Sequence, residues 1–285
     1  MRITNNITAL NTYRQYNTNT VNTNKSMEKL SSGSRINRAA DDAAGLSISE
    51  KMRSQIRGLT QATRNAQDGV SFIQTAEGAL NEVSDMLTRM KELATQVTNG
   101  TYSTDDQGNI GSEMKALGKA VSDIYKNTKF NGTQVFGTIT DDTTNNDGTL
   151  DITAADAAVI HYGEDGKQTV TIAAAEISDM NTLLGLAFDA DTAPSGVTDT
   201  AVEDAITEVN TLRAGYGAQQ NQLEHAANNM ATTKENLQAA ESRVRDVDMA
   251  EEMMSYTKNN ILLQAAQAML AQANSQPQGV LQLLQ

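Results

Sequence analysis

The stretch NNILLQAAQAMLAQANSQPQGVLQLLQ, residues 259–285, contains no Asp, Glu, Lys, Arg or His. Its apolar residues recur at helical spacing, and glutamines stand where a surface helix normally carries charges. A helix without a charged face is usually buried on most sides, and one at a chain end has little of its own chain to cover it. We therefore expect other copies of the protein to bury this segment, with a break in the helix at Pro277. The alternative is a loose terminus.

Composition excludes several classes of protein. The 285 residues include no Cys, which rules out disulfides, thiolate metal sites and thiol chemistry. Aromatic residues make up 4% of the chain, which is little for a compact globular core. The many glutamines in 259–285 argue against a membrane span, which needs about 20 mostly apolar residues in a row. The N-terminus lacks the apolar core of a Sec-type signal peptide.

Charge is distributed unevenly along the chain. The net charge is -13, and between Gly137 and Asn210 fifteen acidic residues and one basic residue, Lys167, give a balance of -14. Residues 1–38 hold six basic residues and one acidic residue, a balance of +5. An acidic middle indicates a solvated outer face. It argues against a nucleic-acid partner, which a basic stripe would bind.

Two long apolar seams are the clearest patterns. One runs from Met52 to Val97 in steps of three and four, close to the 3.5-residue average of a left-handed coiled coil. The other runs from Val202 to Val247 and has a similar length. The simplest arrangement pairs them as antiparallel helices, which brings both termini to one end, where the terminal helices form a second pair.

The middle of the chain changes period. Val159 and His161, then Val170 and Ile172, alternate around Gly163–Gly166, which is typical of a β-hairpin. We therefore predict a mainly α fold. It is a long antiparallel coiled-coil-like helical bundle with paired terminal helices and a small β-hairpin-containing middle region.

These patterns divide the chain into six segments. A turn is expected at Phe130-Asn131-Gly132, within the third segment. In order, we expect an N-terminal helix at 1–34, a connector at 35–46, the N-terminal part of the long-helix domain at 47–136, a variable β-containing outer region at 137–200, the C-terminal helix of the long-helix domain at 201–247, and a C-terminal helix at 248–285.

Candidate catalytic residues are few. His161 and His225 lie on different elements and outside any zinc-hydrolase motif. The carboxylate pairs Asp41-Asp42 and Glu251-Glu252 are adjacent residues, whose side chains point apart on a helix, which favours a solvated or interfacial role. We therefore expect no enzymatic activity, no metal site and no cofactor.

One surface patch has two interpretations. Arg89, Leu93 and Gln96 share a helical face apart from the first seam. They could form a solvated face with one exposed leucine, or a contact patch for another protein. Spacing alone favours the solvated face.

Short motifs at both ends resemble those of the bacterial flagellin family. They cover roughly the first 136 and the last 85 residues, in the family's order at both ends. The matching segments are MRITNN at 1–6, LSSGSRIN at 30–37, DDAAGLSIS at 41–49, FNG at 130–132, SRVRD at 242–246, MLAQAN at 269–274 and PQGVL at 277–281.

The resemblance implies a structural subunit of the flagellar filament. Such a subunit is secreted unfolded by the flagellar type III apparatus and assembles beneath a cap into an extracellular helical polymer. Both terminal helices would form its inner tube, and the long helices the next shell. Implied partners are further copies of itself, an export chaperone, the cap and the hook–filament junction proteins, but no nucleic acid and no membrane. The residues assigned to filament-core assembly are Ile3, Ile7, Leu10, Ile261, Leu262, Met269, Leu270, Leu281 and Leu284.

The resemblance also assigns a role to the patch around Arg89. It looks like the stretch recognised by the vertebrate Toll-like flagellin receptor. The residues that would contact this receptor are Arg89, Glu92, Leu93, Gln96 and Glu113.

Two other classes of protein share some of these features. A hook-associated or filament-junction protein has similar terminal helices but usually a larger middle. A chemoreceptor-like helical signalling protein would have a helical tip at its centre in place of a hairpin. Filaments built from this chain alone, seen by electron microscopy, would favour the flagellin assignment.

Overall fold

The computed structural model describes residues 6–99, 101–136, 138–140, 151–153, 158–163, 167–172 and 199–283. Within these ranges the chain is mainly helical, as predicted. The helices are α1 (Ile7–Ser32), α2 (Ala43–Val97), α3 (Thr104–Asn127), α4 (Asp199–Arg245) and α5 (Met249–Leu283). The strands are β1 (Lys129–Phe130), β2 (Thr133–Gln134), β3 (Thr138–Thr140), β4 (Asp151–Thr153), β5 (Ala158–His161) and β6 (Thr169–Ile172).

The chain divides into two compact units. One consists of Met1–Ile56 and Glu235–Gln285, and the other of Arg57–Lys234. Helices α2 and α4 each contribute residues to both units.

The first unit contains the predicted pair of terminal helices, α1 and α5. They run antiparallel, because Asn6 at the start of α1 meets Ala273 late in α5, whereas Lys29 near the end of α1 lies 3.6 Å from Glu252. Gly33 ends α1 with a left-handed φ of 70°, and its N–H donates to the Lys29 carbonyl.

Backbone hydrogen bonds join the two chain segments that flank this pair. The N–H of Arg35 donates to the Arg245 carbonyl at 2.6 Å, and the N–H of Val247 donates to the Gly33 carbonyl at 3.1 Å. The chain leaving α1 and the chain entering α5 are therefore held together at one end of the helix pair.

The stretch between α1 and α2 is held by two aspartates. The Asp41 carboxylate accepts hydrogen bonds from the backbone N–H groups of Arg38 and Asn37, and these bonds lower the pKa of Asp41 below its usual range. The Asp42 carboxylate accepts from the N–H of Gly45 at 2.9 Å, in the manner of a helix N-cap. Helix α2 consequently begins at Ala43, inside the stretch expected to be a connector.

In the second unit, the predicted seam of α2 forms the core. From Leu59 to Val97, every predicted seam residue except Val70 is buried. The facing helix α4 buries Val202, Val209, Tyr216, Leu223 and Met230, which are seven residues apart, as expected for a coiled-coil seam.

Contacts between α2 and α4 show that they run antiparallel within this unit. Lys91 lies 2.7 Å from Glu203, and Leu223 packs at Gly69. The hydrogen bond between Lys91 and Glu203 raises the pKa of the lysine and lowers that of the glutamate.

The predicted hairpin is present as the antiparallel pair β5–β6, with Ile160 opposite Val170. Its Val170 and Ile172 are buried, but Val159 is 47% exposed and Ile160 packs at Gly69 instead. Ile160 is therefore the β5 residue that packs on α2, whereas Val159 lies at the surface. The turn at 164–166 lies outside the described residues.

The predicted turn at Asn131 joins β1 to β2. Asn131 and Gly132 both have positive φ, 50° and 83°, as a two-residue hairpin turn of type I′ requires. The turn directs Phe130 against Phe72 of α2, with ring centroids 5.7 Å apart.

The predicted break at Pro277 is wrong, because α5 continues to Leu283. A proline inside a helix removes the hydrogen bond that its N–H would donate to the carbonyl four residues earlier. Here that carbonyl, on Ala273, accepts a hydrogen bond from Nδ2 of Asn6 at 2.7 Å. The lost helix bond is thus replaced from another element.

Candidate assembly surface

Helix α1 presents its polar side to its partner and its apolar side outward. It packs on α5, and the residues that it buries are Asn19 and Ser26. Tyr16 and Leu30 are half-buried, but five other large apolar residues are 49–60% exposed: Ile7, Leu10, Tyr13, Val21 and Met27. This is the reverse of an ordinary amphipathic surface helix, whose apolar stripe faces its own core.

Helix α5 packs one side against α1 and exposes large apolar residues on its other sides. Ala266 is buried, and Leu263, Leu270 and Ala273 are half-buried at positions three or four residues apart along the same side. Its other sides expose large apolar residues by 42–68%: Met249, Met253, Met254, Ile261, Leu262 and Met269. Several of these line one shallow groove that also includes Thr257 and Lys258.

The exposed apolar residues are concentrated on this helix pair. Of the fourteen large apolar residues exposed in the described part of the chain, eleven lie on α1 and α5. Large apolar residues exposed in this number on one pair of helices mark a protein-interaction site. Complete burial of each side chain would contribute about 1.5–3 kcal/mol. We call the outward sides of α1 and α5, defined by these eleven residues, the apolar outer face.

Most residues that were assigned to filament-core assembly lie on this face. The apolar outer face includes Ile7, Leu10, Ile261, Leu262 and Met269. Leu270 is half-buried among the residues on the Ala266 side of α5.

The structure does not describe the side chains of the remaining three assigned residues. Ile3 and Leu284 are not among the described residues, and neither is the side chain of Leu281. The sequence assignment also omitted Tyr13, Met253 and Met254, although Met254 lies one heptad before Ile261 and this spacing could have identified it.

The patch around Arg89 joins two helices through ion pairs. The Arg89 guanidinium of α2 lies 2.9 Å from Glu92 and 2.9 Å from Glu113 of α3. Its hydrogen bonds to Glu92 and then to Glu113 raise the pKa of Arg89 further. All three side chains are exposed, and Gln96 nearby donates to the Tyr102 hydroxyl at 2.8 Å.

Leu93 does not belong to this exposed patch. It is 1% exposed and packs in a cluster with Ala94 and Met114, bordered by Ile110 and Leu117. The expectation of one exposed leucine is therefore wrong, because α3 covers this side of α2. The other four residues of the predicted set remain at the surface.

The described residues contain no cluster suited to metal binding. No group of three or more His, Asp or Glu among them could hold a metal ion. His161 lies on β5 and His225 on α4. None of the helices in the described ranges combines the length and the apolar character needed to cross a bilayer.

A chain whose two ends pair as helices that both expose large apolar residues has the architecture of a self-assembling structural subunit. It matches the family model of the bacterial flagellin N-terminal helical region over residues 3–141 and that of the C-terminal helical region over residues 200–284. It is 49% identical to the flagellin of Halalkalibacterium halodurans and 47% identical to that of Bacillus subtilis, with all of each chain covered. The chain belongs to the bacterial flagellin family.

A solved structure supports the fold. A protein of Vibrio parahaemolyticus, provisionally named flagellar hook-associated, matches with a TM-score of 0.59 over 72% of this chain and 100% of its own, at 15% identity. This likeness concerns the fold alone and does not favour the hook-associated alternative. The strands in the middle also differ from the helical tip of a chemoreceptor-like protein. The chain is a self-polymerising structural subunit of the flagellar filament, and the family is not one of enzymes.

Proposed function

We propose that neighbouring copies bury the apolar outer face in the inner tube of the filament, and that this burial drives polymerisation. The observation that carries the proposal is the reversed orientation of α1, which places Ile7 and Leu10 outward while Asn19 and Ser26 face inward. A helix pair with such a seam gains little stability from its own chain, since most helical stability comes from burying an apolar stripe. Contact with further copies supplies that burial.

The lack of charge in 259–283 supports this assignment. Moving a charged group into a buried interface costs several kcal/mol unless it is well paired, and this segment presents none. Head-to-tail contacts that do not close generate helical filaments. One repeated contact through the outer face is therefore sufficient to build a polymer.

The preference of apolar surface for burial and of charged surface for water also assigns positions to the other segments. Residues 1–34 and 248–285 would form the inner tube, 47–136 and 201–247 the surrounding shell, and 137–200 the outer region in contact with water. The balance of -14 between Gly137 and Asn210 suits a solvent-facing position.

Export and assembly partners follow from the exposure of the apolar outer face. We infer that the subunit is secreted through the flagellar export apparatus and kept from premature association by an export chaperone. Cap and hook–filament junction proteins would then receive it outside the cell. Each of these partners would have to recognise a terminal segment that is still free of neighbouring copies.

Substitution of one exposed residue on α5 tests the assembly surface. Ile261 is 61% exposed, and Ile261→Asp would place a carboxylate where a neighbouring copy packs. We expect this variant to raise the critical concentration for salt-induced, seeded polymerisation at least tenfold. Electron microscopy and sedimentation of the polymer measure the effect.

Val159→Asp is the matched control. Val159 is also an exposed β-branched apolar residue, 47% exposed, but it lies on β5 in the region assigned to the outer surface. It should polymerise like the wild type. Normal polymerisation of Ile261→Asp would exclude the apolar outer face as the interface.

A second candidate function is recognition by the Toll-like flagellin receptor. It is favoured by the exposed ion-paired patch of Arg89, Glu92 and Glu113, with Gln96 close by. Such a patch offers a planar guanidinium and two carboxylates to a polar partner. Leu93 would act only by supporting α2 and α3 from within.

Arg89→Ala tests this second function. We expect the purified monomer of this variant to lose at least tenfold in potency in receptor-reporter cells, because it removes the centre of the ion-paired patch. Arg64→Ala, an exposed arginine on the same helix, serves as the control and should keep wild-type potency. Equal potency of the two variants would remove the patch from consideration.

A further inference from the structure

Asn6 stands between the two terminal helices, and its side chain bonds to both. Its Oδ1 caps α1 by accepting a hydrogen bond from the N–H of Ala9 at 3.2 Å. Its Nδ2 donates to the carbonyl oxygen of Ala273 on α5 at 2.7 Å. One amide side chain therefore starts the first helix and holds it against the last.

The Ala273 carbonyl, which accepts this hydrogen bond, occupies an unusual position within α5. In an α-helix, the carbonyl of each residue accepts from the N–H four residues later. Four residues after Ala273 stands Pro277, which lies within α5 and has no N–H. The Ala273 carbonyl consequently lacks its helical donor, and Asn6 supplies one.

The residues that α1 buries most deeply against α5 discriminate poorly between registers. The buried residues of α1, Asn19 and Ser26, are small and polar. The hydroxyl groups of Thr12 and Thr23 donate to carbonyls of their own helix. The ion pair between Lys29 and Glu252 joins two long, flexible side chains, which can adjust to a shifted partner. A slip of one turn, about 5.4 Å, would by contrast move Asn6 to a carbonyl that already has a helical donor.

We propose that Asn6 and Pro277 together set the register of α1 against α5. The inference rests on the proposed function, since the register fixes how the two halves of the apolar outer face are aligned for neighbouring copies. At the other end of the pair, the backbone bond from Val247 to Gly33 holds the chain segments together. Asn6 supplies the corresponding link at the end where the chain begins.

A double-mutant cycle on the critical concentration for polymerisation tests the proposal. Asn6→Ser keeps a good helix cap but is too short to reach Ala273. Pro277→Ala restores the N–H that bonds the Ala273 carbonyl and makes the Asn6 amide dispensable there. Loss of one hydrogen bond should raise the critical concentration about three- to tenfold for Asn6→Ser in the wild-type background. In the Pro277→Ala background, we expect a change of less than about twofold.

The outcomes separate register control from a general effect on folding. Asn11→Ser, an exposed asparagine of α1, is the control and should leave the critical concentration unchanged in both backgrounds. If Asn6→Ser does not polymerise at all, polymerisation of the double variant supports the proposal, and its failure contradicts it. An equal effect of Asn6→Ser in both backgrounds would overturn it.

A spectroscopic measurement gives a second reading of the same contact. The carbonyl ¹³C resonance of Ala273, observed in filaments by solid-state NMR, should shift in Asn6→Ser and stay in place in Asn11→Ser. An unchanged resonance in Asn6→Ser would count against the proposal. Normal polymerisation of Ile261→Asp would count against the assembly surface alone, because the hydrogen bond at Ala273 does not depend on it.

Discussion

Two glycines in α2 occupy opposite surroundings. A Cβ atom on Gly45 would lie 2.4 Å from Oδ2 of Asp42 and 2.9 Å from Cδ1 of the buried Ile36. A Cβ atom on Gly78 would meet nothing within 4 Å. The same substitution should therefore have opposite effects at the two positions.

We expect Gly45→Ala to lower the temperature at which filaments depolymerise and Gly78→Ala to raise it slightly. Alanine gains about 1 kcal/mol of helix propensity over glycine at either position. At Gly45 this gain is outweighed by overpacking against Ile36, which costs about 1–3 kcal/mol, and by disturbance of the Asp42 cap, which costs about 1 kcal/mol. Light scattering during heating measures the depolymerisation temperature of both variants. Temperature shifts of the same sign would contradict the opposite surroundings of Gly45 and Gly78.

At the scale of elements, apolar residues that recur every three or four positions are sufficient to predict α2 and α4. The positions predicted for the α2 seam are buried from Leu59 to Val97, apart from Val70. Leu93 is expected at the surface because one apolar seam indicates one neighbouring helix. Helix α2 has a second neighbour, α3, whose Met114 packs against Leu93. A helix with two neighbours buries a wider stripe than its strongest periodicity indicates.

The terminal helices show a different limit of sequence reasoning. The sequence predicts a helix at each end of the chain and burial of 259–285 by other copies, but periodicity does not say whether an apolar stripe faces the chain's own core or a neighbour. The structure shows Ile7 and Leu10 outward. The break expected at Pro277 failed for a related reason, since a donor far away in sequence, Asn6, replaces the missing bond.

The hairpin illustrates the ambiguity of period two. Alternation predicted β5 and β6 correctly, but a one-residue change of register reverses the two faces of a strand. The face that carries Ile160 packs at Gly69, where the absence of a side chain leaves room for it. Which face of β5 packs on α2 therefore depends on the surface of α2, and the sequence of the strand alone does not specify it.

At the scale of the whole molecule, the two ends and the middle of the chain have opposite properties. The middle carries the negative charge, whereas the ends carry the apolar outer face with its eleven exposed large residues. Helix α1 is rich in Asn and Thr, which are weak helix formers, and it buries only polar residues against α5. We therefore expect the terminal helices to depend on neighbouring copies for most of their stability.

Hydrogen exchange of the free subunit and of the filament tests this dependence most directly. In the free subunit, we expect the amides of α1 and α5 to exchange within seconds, while those of α2 between Leu59 and Val97 stay protected by their buried seam. In the filament, α1 and α5 should become as protected as α2. Strong protection of α1 and α5 in the free subunit, unchanged on polymerisation, would contradict the claim that neighbouring copies supply their environment.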